Sequence, residues 1–130
     1  MEVVEVADGG MPYRVARSVG DYGEQVACRY LEDRGYVVVD RNWRCDQGEL
    51  DIVALHRDTL VFCEVKTRRS NRYGSPVEAV VPAKAARLRR LALQWLREHD
   101  LHRREVRIDV LGVLVQRSGA AEVEHLRGVA

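Results

Sequence analysis

Three charged residues on two adjacent predicted strands are the side chains of this sequence most suited to chemistry. Asp51 lies in the apolar run 48–55, whereas Glu64 and Lys66 lie in the apolar run 60–66. An ionised side chain in a buried strand costs free energy unless it is paired or binds a metal ion. We therefore expect these residues either to neutralise one another or to bind a cation.

The two runs predict a β-hairpin whose turn is centred on Arg57 and Asp58. A symmetric hairpin around that turn places Asp51 opposite Glu64 on one face. Opposed Cβ atoms lie about 4.5–5.5 Å apart, and two carboxylates at that spacing suit a hard divalent cation. A slip of one residue would separate them. The alternative interpretation is an ordinary ion pair between Glu64 and Lys66 on a half-exposed strand, with Asp51 capping a loop.

Bulk composition indicates one soluble domain. The chain has 130 residues, of which 46% are hydrophobic and 32% charged, as is usual for globular proteins. No apolar run approaches the roughly 20 residues of a membrane span, and the acidic N-terminus lacks a signal-peptide pattern, so we expect a cytoplasmic protein. The three cysteines and four histidines are scattered, which argues against a zinc site or a disulfide framework.

Charge is distributed unevenly along the chain. Residues 66–107 hold 12 basic and 4 acidic side chains, a net of +8, whereas residues 1–65 have a net of −6. The basic block begins at the end of the strand that carries Glu64 and Lys66, so it could draw a polyanion toward the carboxylates. The alternative is a solvated basic helix face.

Hydrophobic periodicity and turn residues predict the elements that position these side chains. We expect a flexible N-terminal arm over 1–12 and a single domain over 13–130. Within that domain the predicted order is a helix over 14–34, a strand over 36–43, the hairpin, a turn-rich basic loop over 67–76, a helix over 83–99, a strand over 106–116 broken at Gly112, and a short strand over 122–126. This order predicts an α/β fold with a mixed central sheet of about five strands flanked by helices.

A set of short motifs occurs in a fixed order along the chain. The set comprises Gly23-Glu24, Tyr30-Leu31, Gly35-Tyr36, Arg41-Asn42, Gly48-Glu49-Leu50-Asp51, Glu64-Val65-Lys66-Thr67-Arg68, Gly74-x-Pro76 and Arg107-x-Asp109. Together they resemble the YraN family of uncharacterised bacterial proteins. That family is similar to archaeal Holliday-junction resolvases and to the restriction-endonuclease-like PD-(D/E)xK superfamily. Leu50 departs from the superfamily pattern, which has proline before the motif aspartate.

The resemblance implies a metal-dependent endonuclease that hydrolyses phosphodiester bonds of DNA, including branched or otherwise structured DNA. Asp51 and Glu64 match the motif acids that would hold Mg²⁺ or Mn²⁺, with the backbone carbonyl of Val65 completing the set. Lys66 matches the motif lysine, which would position water or contact the scissile phosphate. Glu24 matches the first-helix glutamate of the resolvase-like branch and would bind a metal-bound water or a second ion. A solvated role is the alternative for Glu24.

Basic residues beyond the motif are expected to contact backbone phosphates, which position a nucleic acid without specifying its sequence. They are Arg68, Arg69, Arg72, Lys84 and Arg87. A domain this small would need two active sites to cut both strands, which favours a homodimer. The alternative hypothesis is a non-catalytic nucleic-acid-binding or protein-interaction module that keeps the nuclease fold.

Overall fold

A six-stranded mixed sheet with two helices forms the computed structural model of this chain, which describes residues 2–6, 19–69, 82–101, 103, 105–116 and 120–129. The elements in chain order are β1 (Glu2–Val6), α1 (Val19–Asp33), β2 (Val37–Cys45), β3 (Gly48–His56), β4 (Thr59–Arg68), α2 (Pro82–Glu98), β5 (Glu105–Leu114) and β6 (Ala121–Leu126). The strand order is β1-β6-β5-β4-β3-β2. Among the strand pairs of the described residues, β4 and β5 are parallel, because α2 crosses over between them, and the other pairs are antiparallel. The predicted α/β fold with a mixed sheet is therefore confirmed.

The N-terminal segment differs from the expectation of a loose arm. Glu2–Val6 forms β1, which pairs antiparallel with β6 at one edge of the sheet. The remainder of the predicted arm lies outside the described residues. A sheet edge offers unpaired backbone donors and acceptors, and this short segment satisfies those of β6, which adds a sixth strand to the predicted five.

The central hairpin has the predicted register. The turn at Arg57 and Asp58 joins β3 to β4, and the ladder pairs His56 with Thr59 and extends to Ile52 opposite Cys63. Arg57 has a φ of 56°, the left-handed conformation that tight hairpin turns need at this position. The turn therefore fixes the register without glycine.

The helices cover opposite faces of the sheet. Along β4, Val61 and Cys63 belong to the core beneath α1, whereas Leu60 and Phe62 belong to the core beneath α2. This alternation is the period of two expected for a strand buried on both faces. Each helix buries an apolar stripe against the sheet: Val26, Ala27, Tyr30 and Leu31 on α1, and Leu88, Leu91, Ala92 and Trp95 on α2, where Leu96 is partly buried.

Two glycines were predicted to interrupt regular structure: Gly35 at the end of the first helix and Gly112 within a strand. α1 ends as expected before Gly35, which has a φ of 85°, and the backbone N–H of Tyr36 returns to the carbonyl of Leu31 at 3.0 Å. Gly112 does not break its strand. It pairs with Lys66 on one side and with Glu124 on the other, so β5 continues through it to Leu114.

A polar cluster is built into the core beside α1. Asp109 is fully buried, and its oxygens accept hydrogen bonds from Arg107 Nε at 2.9 Å, from the backbone N–H of Gly128 at 3.0 Å and from Nε2 of His125 at 2.7 Å. The hydroxyl of Tyr30 lies 3.0 Å from Nδ1 of the same histidine. Burial alone would raise the pKa of Asp109, but these donors outweigh it and lower that pKa. The cluster is a satisfied structural network that joins α1, β5 and β6.

Candidate metal centre

The β3–β4 ladder ends where the motif acids begin. The last backbone-paired residues are Ile52 and Cys63. Beyond this pair, the side-chain carboxylate of Asp51, in place of a backbone carbonyl, accepts a hydrogen bond from the backbone N–H of Val65 at 2.8 Å. An aspartate that takes over a strand hydrogen bond is held in one orientation. The strands thus deliver Asp51 and Glu64 to a common cleft, as the predicted register required.

Glu64 is the motif acid with an unused oxygen. Its Oε1 lies 3.2 Å from Nζ of Lys84 and 3.9 Å from Nζ of Lys66. Its Oε2 is buried and has no hydrogen-bond partner among the described residues. A buried carboxylate oxygen without a partner costs free energy, so this atom marks a place where a cation or donor would stabilise the site.

Glu24 reaches the cleft because α1 packs unusually close to β4. A Cβ atom at Gly23 would lie 2.7 Å from Cγ2 and 2.8 Å from Cβ of Thr67, so only glycine fits there. With its amide nitrogen turned toward Glu24, Asn42 donates to both carboxylate oxygens, at 2.9 and 3.2 Å. Asn42 has a φ of 52°, a backbone conformation that asparagine tolerates better than most residues. Glu24 is therefore oriented by Asn42 and lines the cleft, where it is half-buried.

Burial and neighbouring carboxylates raise the pKa values of two acids in the cleft. Burial is the main cause that raises the pKa of Asp51 from 3.8 to about 6, and the charge of Glu64 adds to it, whereas the hydrogen bond from Val65 opposes it. Burial likewise raises the pKa of Glu24 to about 7, with a further contribution from the charge of Asp51. A divalent cation would favour the ionised forms of both groups.

The cleft has a volume of about 420 Å³ and is open on one side. The candidate catalytic residues are among those that line it: Gly20, Glu24, Gly48, Glu49, Asp51, Glu64, Val65, Lys66, Thr67 and Arg87. Of the predicted phosphate-contacting residues, Arg87 is exposed at this cleft, while Arg68 and Arg69 lie at the end of β4 and just beyond it. Arg72 lies outside the described residues.

Lys84 occupies a different environment from the one its sequence suggested. It points to Glu64 from the first turn of α2, and its side chain is only 15% exposed. Burial lowers the pKa of Lys84, and its hydrogen bond with Lys66 adds to that effect. The sequence contained no signal for this contact, or for that of Asn42 with Glu24, because both depend on how separate elements pack.

The donor set fits a hard cation that keeps water or substrate ligands. Within the described part of the chain, no three His, Cys, Asp or Glu side chains come close enough to hold a metal ion by themselves. Mg²⁺ is commonly held by one or two carboxylates and completes its octahedral shell with water and substrate phosphate. Asp51 and Glu64, with the unpartnered Oε2 of the latter, fit that requirement.

The mixed sheet and the two helices that cover it form an α/β domain whose architecture is consistent with the restriction-endonuclease-like fold. Within that class, the chain belongs to the uncharacterised protein family UPF0102, whose model matches residues 23–113. This is the YraN-type family that the ordered motifs predicted.

Close relatives support the same assignment over nearly the full chain. A UPF0102 protein of Beutenbergia cavernae is 63% identical over 116 residues, which cover 89% of this chain and 98% of the relative. A UPF0102 protein of Streptomyces griseus is 55% identical over 114 residues, covering 87% of this chain and 96% of the relative. No helix of the described residues is long and apolar enough to cross a membrane.

Proposed function

We propose that this protein is a divalent-metal-dependent endonuclease of the PD-(D/E)xK type that hydrolyses phosphodiester bonds of DNA, with branched or structured DNA as the preferred substrate. The observation that carries the proposal is the buried, unpartnered Oε2 of Glu64 in the cleft that also holds Asp51. A stability-driven core would pair or exclude such an oxygen. A bound cation would supply the partner that Oε2 lacks.

Four residues of the cleft would have distinct roles in the proposed hydrolysis. Asp51 and Glu64 would hold Mg²⁺ or Mn²⁺, with the carbonyl of Val65 as a further donor. The bound ion would supply positive charge to the phosphate and activate a water molecule. Glu24, which lines the same cleft, would be ionised beside the cation and would hold or deprotonate a water molecule.

Lys66 and Arg87, which both line the cleft, would contact the phosphodiester. Lys66 is 38% exposed, and its Nζ is 3.9 Å from Glu64, too far for a close hydrogen bond. Its ammonium group, which also hydrogen-bonds with Lys84, would turn to a substrate phosphate. Contacts of Arg87, Arg68 and Arg69 with the nucleic-acid backbone would add affinity without sequence preference.

A cleavage assay tests this function. Duplex, flapped and four-way-junction DNA would be incubated with Mg²⁺ or Mn²⁺ and with wild-type, Asp51→Asn or Glu49→Gln protein. Glu49 is the matched control because it lines the same cleft but is paired with Arg44 at 3.0 Å and is 44% exposed. We expect metal-dependent cleavage that falls by at least about 100-fold in Asp51→Asn. The loss of a metal ligand should cost at least as much as the loss of an outer partner of a ligand, which costs about 10- to 100-fold. Cleavage should persist in Glu49→Gln.

The same assay separates an enzyme from a binding module. DNA affinity should change little in Asp51→Asn, since the basic side chains that contact phosphate are intact. Tight, salt-dependent DNA binding by the wild type without cleavage of any substrate, with either metal, would refute the endonuclease and support the non-catalytic alternative.

A further inference from the structure

Two lysines contact the same oxygen of Glu64, but they do so unequally. Nζ of Lys84 lies 3.2 Å from Oε1 and its side chain is 15% exposed, whereas Nζ of Lys66 lies at 3.9 Å and its side chain is 38% exposed. An ion pair shielded from water is stronger than one at the surface. Lys84 is therefore the principal partner of Glu64, although it comes from α2 and not from the motif strand.

The lysine contact uses only one side of the carboxylate. Both lysines approach Oε1, while Oε2 is buried and has no partner among the described residues. Because Glu64 itself is only 14% exposed, an unpaired charge here would be costly. Lys84 compensates that charge and at the same time fixes which oxygen stays free.

We propose that Lys84 is a positioning residue of the metal centre, which holds Oε1 of Glu64 so that Oε2 is presented to the cation. The inference rests on the proposed function, since it takes Glu64 as a metal ligand. Outer partners that orient metal-binding side chains contribute about 10- to 100-fold to metal affinity or activity. With Lys84 in this role, Lys66, the more exposed of the two lysines, would contact the substrate.

Metal affinity tests the inference without reference to catalysis. Mn²⁺ would be titrated calorimetrically into wild-type protein, Lys84→Met, Glu64→Gln and the double variant. Methionine has a similar length but carries neither charge nor donor. Arg90→Met is the matched control, because Arg90 is an exposed cation on the same helix. Lys84→Ala repeats the test if the methionine variant does not fold, since alanine favours helix.

The expected result is a loss of Mn²⁺ affinity of about 10-fold in Lys84→Met, with no change in Arg90→Met. The losses from Lys84→Met and Glu64→Gln should not add, because Lys84 acts through Glu64. Unchanged or tighter Mn²⁺ binding in Lys84→Met, or strictly additive losses, would overturn the positioning role while leaving the metal site intact. No Mn²⁺ binding by the wild type would refute the proposed function, and this inference with it.

Discussion

The substitution Asp51→Asn should stabilise the metal-free protein at neutral and alkaline pH while it removes the metal site. Asparagine keeps an oxygen that can accept the backbone N–H of Val65, which lies 2.8 Å from the aspartate oxygen. It removes the negative charge of Asp51, which the folded protein disfavours. Burial and the nearby charge of Glu64 raise the pKa of Asp51 from 3.8 to about 6.

The size and sign of the effect follow from proton linkage. A carboxyl whose pKa is higher in the folded chain binds its proton more tightly there, so the folded state loses stability as the pH rises from about 4 to about 6. The difference of about two units, at about 1.4 kcal/mol each, sets an upper limit near 3 kcal/mol. Asp51 is partly accessible to water, so screening reduces the expected gain to about 2 kcal/mol.

Urea unfolding in EDTA measures this prediction directly. Asp51→Asn should exceed the wild type by about 2 kcal/mol at about pH 8, and the difference should vanish near pH 4. Glu32→Gln, at an exposed carboxylate of α1, controls for a general change in charge, because Glu32 does not contribute to the raised pKa of Asp51. An Asp51→Asn protein that is no more stable than the wild type at the higher pH, or whose advantage does not depend on pH, would refute the reasoning.

Three further predictions concern packing, the buried network and phosphate contacts. Gly23→Ala should destabilise the fold by about 1–3 kcal/mol in urea unfolding because its Cβ would overlap Thr67, and a loss unaffected by Thr67→Ala would contradict that cause. Asp109→Ala should cost about 3 kcal/mol or more, since it leaves Arg107 without its buried partner, yet the folded variant should keep wild-type Mn²⁺ affinity. Arg87→Ala should lower the slope of log Kd for DNA against log salt by about one, measured by fluorescence anisotropy; an unchanged slope would exclude a phosphate contact.

The parts of the fold with local signals could be predicted from the sequence. The hairpin register follows from a two-residue turn between strands of alternating pattern, and the end of α1 follows from Gly35. The pairing of Asp51 and Glu64 in one cleft depended only on that register. Local chemistry was sufficient wherever the partners were close along the chain.

The remaining features depend on contacts between distant segments. β1 carries a short strand-like pattern, which becomes a strand only by pairing with β6. Gly112 weakens a strand on average, but two neighbouring strands hold it in place. In the sequence, Lys84 resembles any exposed helix lysine, and only the packing of α2 against the sheet places it beside Glu64. Neither composition nor periodicity encodes such positions.

The central claim is that Asp51 and Glu64 together bind one divalent cation, and a calorimetric Mn²⁺ titration tests it most directly. Wild-type protein, Asp51→Ala, Glu64→Ala and the control Glu49→Gln would be compared at the same pH and salt concentration. The account predicts one Mn²⁺ per chain in the wild type and in the control, and none in either alanine variant. Binding that survives the loss of both Asp51 and Glu64, or its absence from the wild type even with non-cleavable DNA present, would contradict the account.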